Sequence, residues 1–596
     1  MALGVVAAAL CGATKAYGQG APVRLDFDTT SFATSGNTPA SGVTPWNGGV
    51  TMLSDSNVFV SFLGGKQLTV TVGSGTLTGG NGNWTYVLAG GTSTYSSTMS
   101  QGFSIAQLKS GTAFLAYADS SRMYISYGTN AYSQSNQPAF TDSTRYSYVE
   151  LNYKTGGNGV DLSNIEQFGG SIGLKSLTSN STVTYETGNT LSTQQLLSTL
   201  VQTAGGTAAG PTWVPTGPGG TIVRVTGPSN VANVPSPFTD FQPYLANVFA
   251  AGAGDLQSPT MTLMRDPYAP QPTAGARSGT AVGALNWSGA IGFTSSSTAT
   301  GVVSGSNYNT GYFFTPTVTQ NVTSSGTFYG LQFTGSVSVC VPTAFAGTTT
   351  PTKWYDGLTI NVSTGTDGAA INSFLQSGGP TAVTNITLSG TGWAQYSADF
   401  SLGSGTANAA AGAPTAAVAG GANSSTSPEY GQVVQKVLGD FQEGLNAGLY
   451  ANTASGSYTY YLFSNGASPL STTGTVGVLP SSVWYQNPQF AYQNTGTGAQ
   501  NTFGAVIWNN SYQVTSSGSI AYGGVYGSPY DDRFGSPYTG EFGNTFALNP
   551  GGSLLVTLNE AIVAVPEPST VALFAVAGVA LGGTAWRRRR RRAVRG

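Results

Sequence analysis

The stretch Tyr146-Ser147-Tyr148-Val149-Glu150-Leu151-Asn152-Tyr153 places an acid inside an alternating pattern. At the two-residue period of a β-strand, Val149 and Leu151 face one way and Tyr148, Glu150 and Asn152 the other. An acid flanked by an aromatic ring and an amide, on the side away from a core, has the parts of a sugar-binding groove. The ring is an apolar platform, the amide fixes hydroxyls and the carboxyl moves protons. Taken alone, the same pattern also describes a solvent-facing Glu on a strand. Near the other end of the chain, Asp531 and Asp532 in Tyr526-Gly527-Ser528-Pro529-Tyr530-Asp531-Asp532 are candidates for a groove wall, or equally for a turn that caps a strand end.

Composition narrows the chemistry further. The 596 residues contain no histidine and two cysteines. That removes the Ser-His-Asp triad, the Cys-His pair, His-ligated zinc and a disulfide scaffold. A hydrolase of this composition works with carboxylates. Charged residues make up only 7% against a usual ~25%. The surface must therefore be Ser, Thr, Asn, Gln and Gly, which favours an all-β protein outside the cytoplasm.

The ends carry targeting signals. Leu3 to Ala13 is an apolar run followed by small residues, so residues 1–21 read as a signal peptide without a basic start. At the other end, Pro566-Glu567-Pro568 precedes an apolar stretch over 570–586 and then Arg587 to Arg592. Seventeen residues span roughly 25 Å as a helix, enough to cross a bilayer with flanking help, and the arginines hold that end inside. This three-part tail, residues 565–596, resembles the PEP-CTERM sorting signal of Gram-negative bacteria. The resemblance implies an exosortase-type membrane protease as partner, a transient membrane anchor and delivery to the cell surface or exterior. With both ends removed, 13 basic and 22 acidic residues remain, a net charge of −9. Nucleic acid is a poor partner for such a chain.

Between the ends the pattern is mainly β. Short strands with turn signals run through residues 22–204, among them Val58 to Leu63, Gln67 to Val72, Trp84 to Ala89 and Met123 to Tyr127. Gln195 to Thr203 reads as a short helical or irregular segment, and the Gly/Pro-rich stretch from Gly205 to Gly220 as a boundary. A second region, 221–500, mixes strands (Gly311 to Phe314, Thr327 to Phe333, Ser336 to Val341) with a helix from about Glu429 to Leu445. An Ala/Gly-rich loop over 403–427 precedes that helix, and further strands close the chain over 501–563.

From Tyr146 the chain reads YSYVELNYKTGGNGVDLSNIEQFGGSIGL. This resembles the core of glycoside hydrolase family 64, the thaumatin-like β-1,3-glucanases, in which a strand bearing an acid is followed by a turn and an N-x-S-x-V-D-Q-F-G-like element. The resemblance puts Glu166 at the family's second catalytic acid, with Asp161 as a fallback. Tyr124 to Gly128, Arg224 to Pro228, Asp440 to Gly448 and Tyr526 to Asp532 are similar to further family elements in the same order. Where the family carries a hydroxyl and an amide beside the first acid, this chain has Asn152 and Lys154. The second acid is Glu rather than Asp, and Ala447-Gly448 stands where an Arg is expected.

The family resemblance implies a thaumatin-like β-sandwich or barrel domain, a smaller mixed α/β domain and a groove between them. It also implies inverting hydrolysis of β-1,3-glucan that requires no metal or cofactor, with Glu150 as general acid, desolvated by Tyr146 and Tyr148, and Glu166 as base. Inversion needs the two carboxyl groups roughly 6.5–9.5 Å apart. Tyr146, Tyr148, Asn152, Asp531 and Asp532 would contact the glucan. The departures at Asn152, Lys154 and Ala447 point to the alternative, a non-catalytic β-glucan-binding or matrix protein of the same fold.

Overall fold

The computed structural model describes residues 20–34, 43–80, 83–88, 94–95, 102–128, 143–154, 157–231, 234, 236–243, 246, 264–265, 309–324, 326–342, 352–363, 385–389, 444–449, 454–460, 470–475, 488–493, 501–515, 518–528 and 546–560. The expected signal peptide, the 403–427 loop, most of the 429–445 helix, Asp531, Asp532 and the 565–596 tail lie outside these residues. Among the described residues, no helix is long and apolar enough to cross a membrane.

Mainly β architecture is what the structure shows. The first half supplies β1 (Val23–Asp28), β2 (Val58–Val72), β3 (Gly75–Gly80), β4 (Asn83–Leu88), β5 (Thr94–Tyr95), β6 (Phe103–Ser104), β7 (Ala113–Tyr127), β8 (Tyr146–Lys154), β9 (Gly157–Leu162), β10 (Gln167–Phe168), β11 (Ile172–Leu177) and β12 (Val183–Asn189). A short β13 (Val225–Thr226) pairs with β10 in a two-stranded sheet. A separate sheet follows from β14 (Met264–Arg265), β15 (Asn309–Thr323), β16 (Gly326–Pro342), β17 (Thr352–Ser363) and β18 (Asn385–Ser389), then a hairpin of β19 (Ser455–Tyr460) and β20 (Leu470–Thr475). The chain then returns to the first sheet with β21 (Ser511–Thr515), β22 (Gly518–Ile520) and β23 (Ser553–Leu558), which brings that sheet to 14 strands.

The β2–β7 pair is its spine. Both strands are 15 residues long and antiparallel along their whole length. The sequence suggests two strands divided at Gly64-Gly65. Instead one strand runs through, with a register shift between Gly64 and Gln67, because glycines at a bulge bend a strand without ending it. On its other edge, β7 is shared. Its start, Ala113 to Leu115, pairs with β1, and its later part, from Ala118 to Ser126, pairs with β8. The sheet therefore forks along β7, and a second bulge, between Ala118 and Ser121, lies where β8 joins.

One apolar core fills the space behind the fork. It includes Val60, Phe62, Leu115, Met123, Ile125, Val149, Leu151, Val160, Leu174 and Val556. The helix Thr193–Thr203 packs Leu196, Leu197, Leu200 and Val201 into it, and a capping box between Ser192 and Gln195 starts that helix. Strand β23 lies between β1 and β11, parallel to the first and antiparallel to the second. Of the expected closing strands in 501–563, β23 is thus interior to the first sheet, whereas β21 and β22 extend its edge beyond β12.

Candidate active site

The alternation expected in β8 holds around the acid. Val149 and Leu151 are buried in the core, while Glu150, Asn152 and Lys154 are half-buried on the opposite face. Tyr146 and Tyr148 share that second face, yet both are buried there, at 1% and 2% exposure, in a cluster with Tyr124 of β7. Ring centroids lie 5.8 Å apart for Tyr124–Tyr146 and 5.6 Å for Tyr124–Tyr148. The expected stacking platform is therefore packed interior rather than open surface. Period-2 alternation tells which face a side chain takes, and here the 163–168 loop lies over that face. The Tyr148 hydroxyl donates to Ser163 Oγ at 3.4 Å.

What faces Glu150 is an arginine. The strand registers set Arg122 of β7 opposite Glu150, and Glu150 opposite Asp161 of β9, three charged residues abreast on three adjacent strands. Arg122 Nε donates to Glu150 Oε1 at 2.8 Å, and Nη2 lies 2.8 Å from the same oxygen in the ion pair. Its Nη1 donates to Glu166 Oε1 at 2.9 Å and reaches the Tyr124 hydroxyl at 3.4 Å. The guanidinium carbon stands 4.6 Å over the Tyr148 ring, a cation–π contact. So the Tyr148 ring faces Arg122 and the Tyr146 ring faces Arg224 at 5.7 Å, and what meets the Glu150 carboxyl group is the guanidinium.

Glu166 comes from the loop after β9, and its backbone is pinned on two sides. The Asn164 N–H donates to the Tyr526 carbonyl at 2.8 Å, and the Tyr526 N–H to the Leu162 carbonyl at 2.9 Å. From the other side, the Gly227 N–H donates to the Glu166 carbonyl at 2.8 Å, and Asn230 Nδ2 donates to the same oxygen. The Ser229 hydroxyl holds the Ile165 carbonyl at 2.6 Å. Gly227 must be glycine for this approach, since a Cβ there would collide with the Ile165 carbonyl oxygen. The segment Arg224 to Asn230 thus works as a clamp on the loop that carries Glu166.

Two carboxyl groups far apart in sequence therefore meet at one guanidinium. Its nitrogens are about 2.3 Å apart, so the two Oε1 atoms lie within about 8 Å of each other. The side chains of Glu150 and Glu166 remain 35% and 21% exposed, open to solvent. Among the described residues, neither Oε2 has a hydrogen-bond partner. Burial works against the charge on Arg122, but the carboxylates of Glu150 and Glu166 beside it outweigh that and raise its pKa above the ordinary value. Burial likewise pushes the Tyr148 phenol well above its usual range, and the charge of Glu166 adds to the effect.

The remaining expected residues fall around this centre. Asp161 is adjacent to Glu150 across the β8–β9 ladder. Lys154, two residues beyond Asn152 on the same face, is tied to Asp119 at 2.6 Å. The Asn152 Oδ1 is buried without a hydrogen-bond partner among the described residues, so that oxygen is turned away from solvent. Ala447 is fully buried beside the described end of the expected helix.

Sequence reasoning overlooked Arg122. The signal was an arginine two residues before Tyr124, in a strand next to the acid-bearing one, in a chain with few basic residues.

Residues 564–590 match the PEP-CTERM protein-sorting motif, the signal for export and C-terminal anchoring in Gram-negative bacteria. No curated protein is significantly similar to the chain. Among solved structures, it is similar to a β-1,3-glucanase domain (GH64) from Clostridium beijerinckii, with 10% identity over 90% of this chain and 98% of that one and a TM-score of 0.34. A laminaripentaose-producing β-1,3-glucanase in complex with laminaritetraose has 11% identity over 91% and 99%, also with a TM-score of 0.34. A GH family 64 laminaripentaose-producing β-1,3-glucanase from Paenibacillus barengoltzii has 13% identity over 37% and 52%, with a TM-score of 0.23.

Proposed function

We propose that this exported chain is a glycoside hydrolase that cleaves β-1,3-glucan with Glu150 and Glu166, on a thaumatin-like fold. The observation that carries the reading is that both carboxyl groups, each with one oxygen in solvent reach, are held by one guanidinium. The choice of β-1,3-glucan rests on the resemblance of residues 146–174 to family 64. In this reading Glu150 Oε2 gives its proton to the glycosidic oxygen as the C1–O bond breaks. Water forms the new bond to C1 from the opposite face and passes a proton to Glu166 Oε2. Exchange with solvent then resets both groups. An exosortase-type protease acts on the tail at Pro566-Glu567-Pro568, and residues 570–586 hold the chain in the membrane until then.

The test is laminarin hydrolysis followed by reducing-sugar release and by NMR of the first-formed anomer. An α-anomer at early times supports inversion. Turnover unchanged in both Glu150→Gln and Glu166→Gln overturns the assignment. The second reading, a matrix protein that binds glucan without cutting it, is favoured by the buried Asn152 Oδ1 and by Lys154 being engaged with Asp119. Laminarin retention by the parent protein with no reducing ends formed would select it.

A further inference from the structure

We propose that Arg122 is the positioning residue of this site, a clamp that fixes the separation and facing of Glu150 and Glu166 through their Oε1 atoms and leaves both Oε2 atoms to the reaction. The kinetic part of the proposal rests on the hydrolase reading, whereas the geometric part stands without it.

Three observations carry it. First, the guanidinium spends Nε and Nη2 on one glutamate and Nη1 on the other, a division that needs a rigid planar fork and that a lysine ammonium does not reproduce. Second, the fork is itself oriented. The Tyr148 ring lies under it at 4.6 Å, and the Tyr124 hydroxyl meets Nη1 at 3.4 Å. Third, the two glutamates have different supports, β8 for Glu150 and the clamped 163–168 loop for Glu166. Other side chains also join these supports, Tyr148 to Ser163 and Gln167 to the Tyr146 carbonyl, but Arg122 joins them at the two carboxyl groups themselves.

The charges are consistent with this role. An inverting pair carries one negative charge before the proton transfers and one after them, first on one carboxyl group and then on the other. A single guanidinium touching both balances that charge at each stage. A carboxyl group protonated on Oε2 still accepts through Oε1, so the clamp persists through the cycle.

The experiment has one kinetic and one activity-independent arm, both on the full chain. For laminarin hydrolysis, Arg122→Lys is expected to lower kcat about 10²-fold, the scale of a ~1 Å misplacement, with KM and Tm little changed. Arg122→Ala should regain part of its kcat in tens of millimolar guanidinium chloride, with sodium chloride of equal ionic strength giving none. In the second arm, the Arg122 Nε–H NMR signal should exchange slowly with water in the parent and fast in Glu150→Gln. If Arg122→Lys keeps parental kcat, or if the Nε–H exchanges as fast in the parent as in Glu150→Gln, the clamp is overturned. If the parent has no turnover on laminarin but the Nε–H behaves as expected, the clamp stands and the hydrolase reading alone falls. Should the Arg122 variants fail to fold, the Nε–H arm decides.

Discussion

Arg145 and Glu560, 415 positions apart in the chain, form an ion pair of 2.5 Å with side-chain exposures of 0% and 3%. The guanidinium also donates from Nε to the Gly169 carbonyl at 2.6 Å and lies 4.0 Å over the Tyr127 ring, while Glu560 accepts from Thr193 at 3.1 Å. Removing one partner strands the other charge in the interior, at a cost of about 3–5 kcal/mol. We expect Glu560→Gln and Arg145→Met each to lower Tm by several degrees. The double variant should be less destabilised than the sum of the two, as read in a thermal-unfolding double-mutant cycle. Additive effects would mean that the two groups do not interact.

Strand β23 lies just before Glu560 and is an interior strand. Its Leu554, Val556 and Leu558 are fully buried, each contributing about 1.5–3 kcal/mol. Its loss would also open the hydrogen-bonding edges of both β1 and β11. A chain ended at Gly552 is expected to be aggregated or protease-sensitive, whereas a chain ended at Val563 should unfold with the Tm of the full exported part. Equal protease resistance of the two would contradict the central placement of β23.

Gly227→Ala puts a methyl group against the Ile165 carbonyl, next to the Glu166 backbone. Overpacking of this kind costs about 1–3 kcal/mol. Because the displaced loop carries Glu166, laminarin kcat should fall by about 10²-fold, more than the small drop in Tm accounts for. A variant that loses stability but keeps kcat would separate the clamp from the site.

Glu150→Gln and Glu166→Gln should each reduce laminarin turnover by about 10²–10⁴-fold. The two differ on an aryl β-glucoside with a good leaving group, which needs little proton donation. Activity there should survive in Glu150→Gln and be lost in Glu166→Gln. The reverse pattern would exchange their roles.

Alkaline pH tests the buried tyrosines. Burial first, then neighbouring negative charge, raises the Tyr148 phenol well above the ordinary tyrosine value of about 10, and burial also raises Tyr146 and Tyr124. Below pH 10 these phenols are protonated in both states and their contribution is complete. Above it the unfolded chain releases protons that the folded state keeps, so stability falls as pH rises from 10 towards the folded values. Tm should therefore drop steeply above pH 10, and Tyr148→Phe should make that slope shallower. An unchanged slope in Tyr148→Phe would show the phenol to be solvated.

Local chemistry was legible residue by residue. The absence of histidine confined any hydrolytic chemistry to carboxylates, and the alternation of Val149, Glu150 and Leu151 set which face the first acid takes. The S-x-x-Q spacing of Ser192 and Gln195 is a helix start that local hydrogen bonds alone can make. The Pro-Glu-Pro tail is similarly a linear signal, matched over 564–590 without reference to a fold. Each of these depends on neighbours a few positions away, a range over which sequence and geometry are directly linked.

What depended on distant pairing could be decided only by the tertiary structure. Whether Tyr146 and Tyr148 are surface or interior turned on the loop that packs over them, since alternation is blind to what covers a face. Gly64-Gly65 looked like a turn and became a bulge because β7 offered a continuous partner along its whole length. Arg122 became the centre of the site because two strand registers and a clamped loop converge on it from positions 28 and 44 residues away. A sequence names the groups that carry charge, but only closing the loops between them sets which charges come within a few ångströms of one another.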